Sequence, residues 1–328
     1  MLNYGSYEKK RCKKCSYSLQ KWGKNKSGSQ RYKCVHCSSG DTRKRPELSK
    51  VNHRRMFSGW LLKKQSLTEI AKKYGVSTKT ITRWFTPFWS KEPLPKLVHV
   101  RNQVLIIDGK YIKRNACVLV ACTSGEVVSW HFTQRETMGS WYTFLSGIRH
   151  IPLAIVCDGQ KGMIKAIKLR FPGVIIQRCQ FHVIQYCLSK LTKKPESIAS
   201  QELKLLVPQI VMVKTKEQFG LWLGDYITWR KTYNNFLKEK TYQEDNLTPT
   251  GRRKWHYTHG RLHAAHSHLK NSIPNLFKYL LYPQIPNTTN FVEGAINASI
   301  QEKLRLHRGL KLPKQRVLIA YFLRSRQR

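Results

Sequence analysis

The sequence predicts an α/β protein: a mixed β-sheet with helices on its faces, interrupted by a helical segment and preceded by two small modules. Three observations carry this expectation. From residue 102 the apolar stretches follow the order β-β-β-α-β-α-β, residues 191–285 then read as helices, and residues 1–95 combine paired cysteines with short helical periodicity. With 41% hydrophobic residues in 328, one large core can form beside the modules.

The first module spans residues 1–45, where Cys12 and Cys15 are separated by eighteen residues from Cys34 and Cys37. Each CxxC can form a knuckle offering two thiolates, and two knuckles complete a tetrahedral site that so small a segment needs to fold. This spacing predicts a zinc ribbon with structural Zn²⁺ on Cys12, Cys15, Cys34 and Cys37, metal ligation being favoured over disulfides. The competing readings are unconnected cysteines, or His36 in place of a thiolate.

The second module, residues 46–95, contains SLTEIAKKYGVSTKTITRWF. Leu67, Ile70 and Ala71 share one helical face, Gly75 permits a sharp turn, and Val76, Ile81 and Trp84 resume the apolar pattern. This is a helix-turn-helix pattern in which Ser77 caps the second helix and Thr78, Lys79, Thr80 and Arg83 face outward toward a DNA groove. An ordinary αα-hairpin with a polar face fits the same periodicity. Pro87, Pro93 and Pro95 predict a stiff linker.

In residues 96–190, QVLIIDG, CVLVACTS and EVVSWHF read as three strands, the last two joined across Ser124-Gly125. Residues 137–149 read as a helix, PLAIVCDG as a fourth strand, KGMIKAIKLRF as a helix and GVIIQRC as a fifth strand. Residues 191–285 read as an all-helical insertion carrying Trp222, Trp229 and Trp255. Residues 286–328 return to the core and end in a basic helix, LPKQRVLIAYFLRSRQR.

Sixty Lys and Arg against eighteen Asp and Glu give a net charge of +42, spread along the chain. Such a charge predicts a polyanionic partner and strong, salt-sensitive binding through released counterions. No apolar run approaches the roughly 18 residues of a membrane span, so a soluble intracellular protein is expected.

Against that charge stand two carboxylates, in LIIDGKYI and AIVCDGQKG. Asp-Gly after an aliphatic run is a common turn signal. Yet Asp108 and Asp158 end the first and fourth predicted strands, which can lie side by side in this order. Carboxylates so placed repel unless a divalent cation such as Mg²⁺ lies between them. Glu293 in TTNFVEGAIN is the candidate third carboxylate; a capping box with Asn290 is its competing reading. Cys179 and His182 form a CxxH pair with no further metal donors at obvious spacing, and read as structural or DNA-positioning. His259, His263 and His266 read as polar surface or phosphate contacts, and Arg252, Arg253, Lys254 and Trp255 as DNA-holding residues.

Together, LIIDG, VCDGQKG, CQFH at 179–182, the Trp255–His259 segment and TTNFVEGAIN leading to HRGL resemble the mutator-type transposases of insertion sequences, over about 100–315. The resemblance implies an RNase H-like fold interrupted by an all-helical insertion. It makes Asp108, Asp158 and Glu293 a catalytic DDE triad holding two Mg²⁺, for which Mn²⁺ can substitute, and Cys179 and His182 a signature near the active site. His263 stands where similar proteins are expected to carry a basic residue. Expected partners are the element's terminal inverted repeats, target DNA and a second copy of the chain or a larger assembly, in the nucleoid of a prokaryotic cytoplasm. Lys303, Arg305, Arg308, Lys311 and Arg316 are expected to hold DNA through phosphates. The expected chemistry is cleavage at the element's ends followed by transfer of the 3′-hydroxyl ends into target DNA. The competitors are a DNA-binding regulator built on a retired transposase and a nuclease that cuts without joining.

Overall fold

The computed structural model describes residues 11–26, 28–42, 51–63, 65–247 and 253–327. It divides into two compact units, residues 1–90 and 91–328.

In the first unit, three short strands, β1 (Leu19–Lys24), β2 (Gln30–Cys34) and β3 (Gly40–Thr42), form an antiparallel sheet. Three helices follow: α1 (His53–Leu62), α2 (Leu67–Tyr74) and α3 (Thr78–Trp89). Ser66 and Glu69 form a capping box at the start of α2, and Gly75 ends that helix with φ of 60°, a left-handed conformation that glycine adopts without a side-chain penalty. Ser77 then accepts from the Thr80 amide at 3.2 Å, capping α3 as expected. Phe57, Leu61, Ile70, Ala71, Ile81 and Phe85 are the buried residues of these helices. Pro87 corrects the linker expectation, because it lies inside α3. In the last turn of a helix a missing amide forfeits one hydrogen bond, and the chain tolerates it.

The second unit is built on a five-stranded mixed sheet. Its strands are β4 (Val104–Lys113), β5 (Ala116–Cys122), β6 (Val127–Thr133), β7 (Ala154–Cys157) and β8 (Ile175–Arg178), in the order β6-β5-β4-β7-β8. Consecutive strands β4, β5 and β6 pair antiparallel, whereas β7 and β8 join in parallel. Parallel pairing requires crossovers, and the helices α4 (Met138–Ser146) and α5 (Lys161–Arg170) supply them. Every residue of β5 is buried, which explains the unbroken apolar run ACVLVAC. Trp141, Phe144, Met163 and Ile167 from the helices pack with Leu105, Ile107, Leu119 and Ile155 from the strands.

Beyond β8, helices α6 (Gln180–Leu191), α7 (Ile198–Leu206), α8 (Lys216–Thr232), α9 (Asn234–Lys238) and α10 (Gly260–Ser272) enclose a separate hydrophobic core with Trp222, Tyr226 and Trp229 at its centre. The all-helical expectation for 191–285 is corrected by an antiparallel hairpin, β9 (Lys240–Leu247) with β10 (Arg253–Tyr257). KTYQEDNL has no apolar face to produce strand alternation; Tyr242 and Trp255 pair across the hairpin and both remain exposed. The chain returns through a π-helical stretch, Phe291–Asn297, to α11 (Ala298–Leu306) and α12 (Leu312–Ser325). Gln327 ties the end of α12 to the sheet by donating to the Val128 carbonyl at 2.7 Å. Among the described residues, no helix is long and apolar enough to cross a membrane.

Candidate active site

Strands β4 and β7 run in parallel with Ile106 opposite Val156. Asp108 and Asp158 each stand two residues beyond that pair, so the chain delivers both at one level of the central two strands. The two glycines that follow have physical reasons. A Cβ on Gly109 would collide with the carboxyl group of Glu136, and one on Gly159, where φ is 85°, would collide with the Nε, Cζ and Cδ atoms of Arg178. Neither Asp-Gly is merely a turn: Gly109 lies inside β4, and Gly159 leaves room for a guanidinium.

Burial pushes the Asp108 carboxyl up to about 6, and the charge of Asp158 adds to the effect while His182 opposes it. Asn297 donates to Asp108 Oδ2 at 2.7 Å. Glu136 is raised to about 7, by burial first and then by Asp158 and Asp108. It precedes the α4 cap residue Thr137, and its amide donates to the Tyr111 hydroxyl at 3.1 Å. Sequence reasoning missed Glu136 and Asn297. The available signals were that Glu136 is one of four acidic residues between 102 and 182, and that Asn297 lies one helical turn beyond Glu293.

Glu293 sits in the π-helical stretch, and its surroundings correct the capping-box reading, because the Asn290 side chain makes no cap bond. Instead Glu293 Oε1 accepts from the Thr289 hydroxyl at 2.5 Å and lies 3.7 Å from His182 Nδ1. Cys179 explains why this segment is held here. Its sulfur accepts from the Thr289 amide at 3.3 Å, Asn287 receives the Gln180 amide at 3.0 Å, and the Asn287 side chain donates to Gln180 Oε1 at 2.9 Å. The CxxH stretch therefore clamps the loop that leads into the π-helical stretch carrying Glu293. Burial raises the Cys179 thiol, but hydrogen bonds with His182 and Thr289 outweigh it and leave the group below its ordinary value. His182 is correspondingly raised to about 9, chiefly by its bond to Cys179.

Among the described residues, two clusters could hold a metal. The four cysteine sulfurs lie within 4.8 Å of one another, with Cys12–Cys37 at 3.5 Å and Cys15–Cys34 at 3.4 Å. Tetrahedral Zn–S bonds of about 2.3 Å place sulfurs ~3.8 Å apart, so these thiols fit the ion closely. The Lys14 and His36 amides each point at a knuckle sulfur, at 3.4 Å. Cys37's amide, the largest influence, helps pull the Cys34 thiol down to about 6. The second cluster is Cys179, His182 and Glu293, whose ligand atoms also lie within 4.8 Å of one another; Glu293 is thus a donor beside the CxxH pair that spacing did not reveal. Among the described residues, Asp108, Asp158 and Glu293 form no group that tight. Their charges nevertheless converge, since Asp158 and Glu293 both raise Asp108. The donor set fits a hard divalent cation: carboxylates under mutual repulsion, with Asn297 Oδ1 buried beside Asp108 and lacking a protein partner.

Of the expected DNA contacts, Thr78, Lys79 and Arg83 are exposed and Thr80 is partly so. Arg253, Lys254 and Trp255 line the exposed hairpin, with the Lys240 ammonium 3.9 Å from the Trp255 ring centre, and Arg308 is exposed after α11. Arg252 lies outside the described residues. Lys303, expected on DNA, lies 3.8 Å from Glu302, and Arg316 stacks over Phe132 at 4.8 Å and reaches Glu92 at 3.6 Å. The histidine expectation is corrected for His266, which is buried and shares a 3.2 Å hydrogen bond with Tyr226; His263 and His259 are partly exposed, the first stacked on Tyr257 and the second paired with Glu239 at 2.8 Å.

Residues 97–250 match the family described as transposases of the Mutator family. That span contains both aspartates and the CxxH pair, and ends before Glu293. The chain is also 25% identical to the transposase for insertion sequence element ISRM3 of Rhizobium meliloti (strain 1021), over 56% of this chain. It spans about half of that protein's length (50%). The resemblance to mutator-type insertion-sequence transposases is thereby borne out.

Proposed function

We propose that the protein is a DDE-type DNA transposase, cutting at the ends of an insertion sequence and joining the freed 3′-hydroxyls to target DNA. The observation that carries this reading is the level placement of Asp108 and Asp158 on the paired central strands β4 and β7. The order of three antiparallel strands followed by two parallel ones supports reading the sheet as an RNase H-like core, with Glu293 as the remaining member of the triad. The helix pair α2–α3 acts as a helix-turn-helix, and together with the zinc-bound cysteine sheet it recognises the terminal repeats.

Asp108, Asp158 and Glu293 would hold Mg²⁺ or Mn²⁺, which when bound lowers the pKa of water and stabilises charge on the reacting phosphate. The chain's own contribution is positional. Asn297 fixes one oxygen of Asp108, Thr289 fixes one of Glu293, and the Cys179 clamp keeps the Glu293 segment against α6. His182, with its raised pKa, is a cation beside Glu293. In cleavage, a water oxygen bonds to phosphorus, the P–O3′ bond breaks and the leaving oxygen takes a proton. In joining, that 3′-hydroxyl loses its proton, bonds to a target phosphorus and displaces another 3′ oxygen. Arg253, Lys254, Trp255 and Arg308 hold the flanking DNA, and two copies of the chain bring two ends together.

The test incubates purified protein with a labelled duplex carrying the element's own end and Mg²⁺. Metal-dependent nicking at the end followed by a joined product is expected, with both lost in Asp158→Asn while binding persists. Binding without cutting, in Mg²⁺ or Mn²⁺ and with both ends supplied, makes the protein a regulator; cutting without joining makes it a nuclease.

A further inference from the structure

Beside Asp158 lies a cavity of about 830 Å³ that takes no part in holding the carboxylates. One wall is α5, with Lys161, Lys165 and Lys168 along its length; another is α10, with His263, Ser267 and Asn271. Gly159, the residue after the catalytic aspartate, forms part of its rim.

Three features give this cavity a ligand preference. Its described lining contains three lysines and Arg178 and no acidic group, so it selects an anion. Arg178 is only 7% exposed and is held in place by Ser272, which accepts from it at 2.7 Å, and by the Asp158 carbonyl at 3.3 Å, so its charge is fixed at the cavity lining. The third feature is aromatic: Tyr186 stacks on His268 with ring centres 4.0 Å apart, and Tyr186 remains 38% exposed. His268 is pushed down to about 4 by burial and then by Arg178, leaving a neutral ring at neutral pH. A flat aromatic wall, neutral amide and hydroxyl groups and a cationic rim together match one nucleotide, with its base inside and its phosphate on the lysines. A duplex is about 20 Å across and cannot enter, so the occupant is a nucleotide out of the double helix.

We propose that this cavity binds a single unpaired nucleotide of the DNA strand passing Asp158, holding that strand displaced while its neighbour is processed. The proposal rests on the reading of the carboxylates as a DNA-processing site. It adds a strand-separating function that Asp108, Asp158 and Glu293 do not supply.

The test uses the full chain and a short single-stranded oligothymidylate carrying one 5-iodouracil, irradiated and mapped by peptide mass spectrometry. The expected adduct is on Tyr186 or on the peptide containing His263 and His268. It should fall about tenfold in Lys165→Glu/Lys168→Glu, two exposed changes on the cavity rim, and less than twofold in Lys231→Glu/Lys238→Glu, which alters net charge equally outside it. Adducts elsewhere, or equal loss in both double variants, overturn the proposal. Cleavage of the element's end is scored with the same preparation. Cutting without the Tyr186-side adduct refutes the cavity alone, and the adduct without cutting refutes the transposition reading alone.

Discussion

At Asp108-Gly109 the space a methyl group would occupy is filled by the carboxylate of Glu136; at Asp158-Gly159 it is filled by the guanidinium of Arg178. The same dipeptide thus frames two opposite electrostatic environments in neighbouring strands. The first corner accumulates negative charge, with Asp108 raised to about 6 and Glu136 to about 7. The second is braced by a cation that donates to the Asp158 carbonyl at 3.3 Å. The two corners also differ mechanically. Gly159 has a left-handed φ and a neighbour pinned by Ser272, whereas Gly109 has ordinary strand geometry and faces the far end of a flexible glutamate. A glycine after an aspartate therefore records what passes over the backbone as much as how the backbone turns.

The largest contrast is expected from alanine at each corner. Gly159→Ala combines strain at positive φ with displacement of a buried arginine, and should destabilise the second unit by about 3 kcal/mol or more in denaturant titration. A loss below about 1 kcal/mol would erase the mechanical distinction.

Next in size is the charge contrast, measured in metal-free protein. The folded-state pKa of Asp108, about 6, exceeds its ordinary 3.8, so ionisation opposes folding, and stability should decline as pH rises from about 4 through 6. Asp108→Asn removes that decline and should stabilise the metal-free chain at pH 8 by about 2 kcal/mol, while abolishing any rise in thermal midpoint on adding Mg²⁺. An unchanged pH profile would mean that the first corner bears no excess charge. Glu136→Gln should flatten the companion window, from about 4.5 to 7, by a somewhat smaller amount. The smallest effect belongs to Gly109→Ala, about 1 kcal/mol or less, because Glu136 can swing aside. Adding Glu136→Ala should remove that cost, and a double-mutant cycle showing no coupling would break the assigned contact.

Much of the sheet was legible because burial leaves a mark on sequence. ACVLVAC and AIVC are buried throughout and could hardly be anything but interior strands, and the Ser124-Gly125 turn joins a hairpin as expected. The side-by-side placement of the first and fourth strands followed from their order. The hairpin of 240–257 was illegible for the converse reason, since strands that stand in solvent carry no apolar alternation. Within the site, Asp158 announced itself by ending a strand, whereas Asp108, expected to end one, lies inside β4 and was marked only as a carboxylate after an aliphatic run. Glu136 did not announce itself: it lies in a connection just before a helix, and only the folding of that connection over Gly109 makes it a neighbour of the pair. His266 was misjudged because spacing alone cannot tell a helix's inner face from its outer one when both carry polar residues.

The π-helical stretch Phe291–Asn297 has a consequence of its own. A π turn is an α-helix with one residue too many. The surplus residue therefore sets which way this stretch faces: without it, Asn297, one turn beyond Glu293, would be turned roughly 100° away from the Asp108 carboxylate that it bonds.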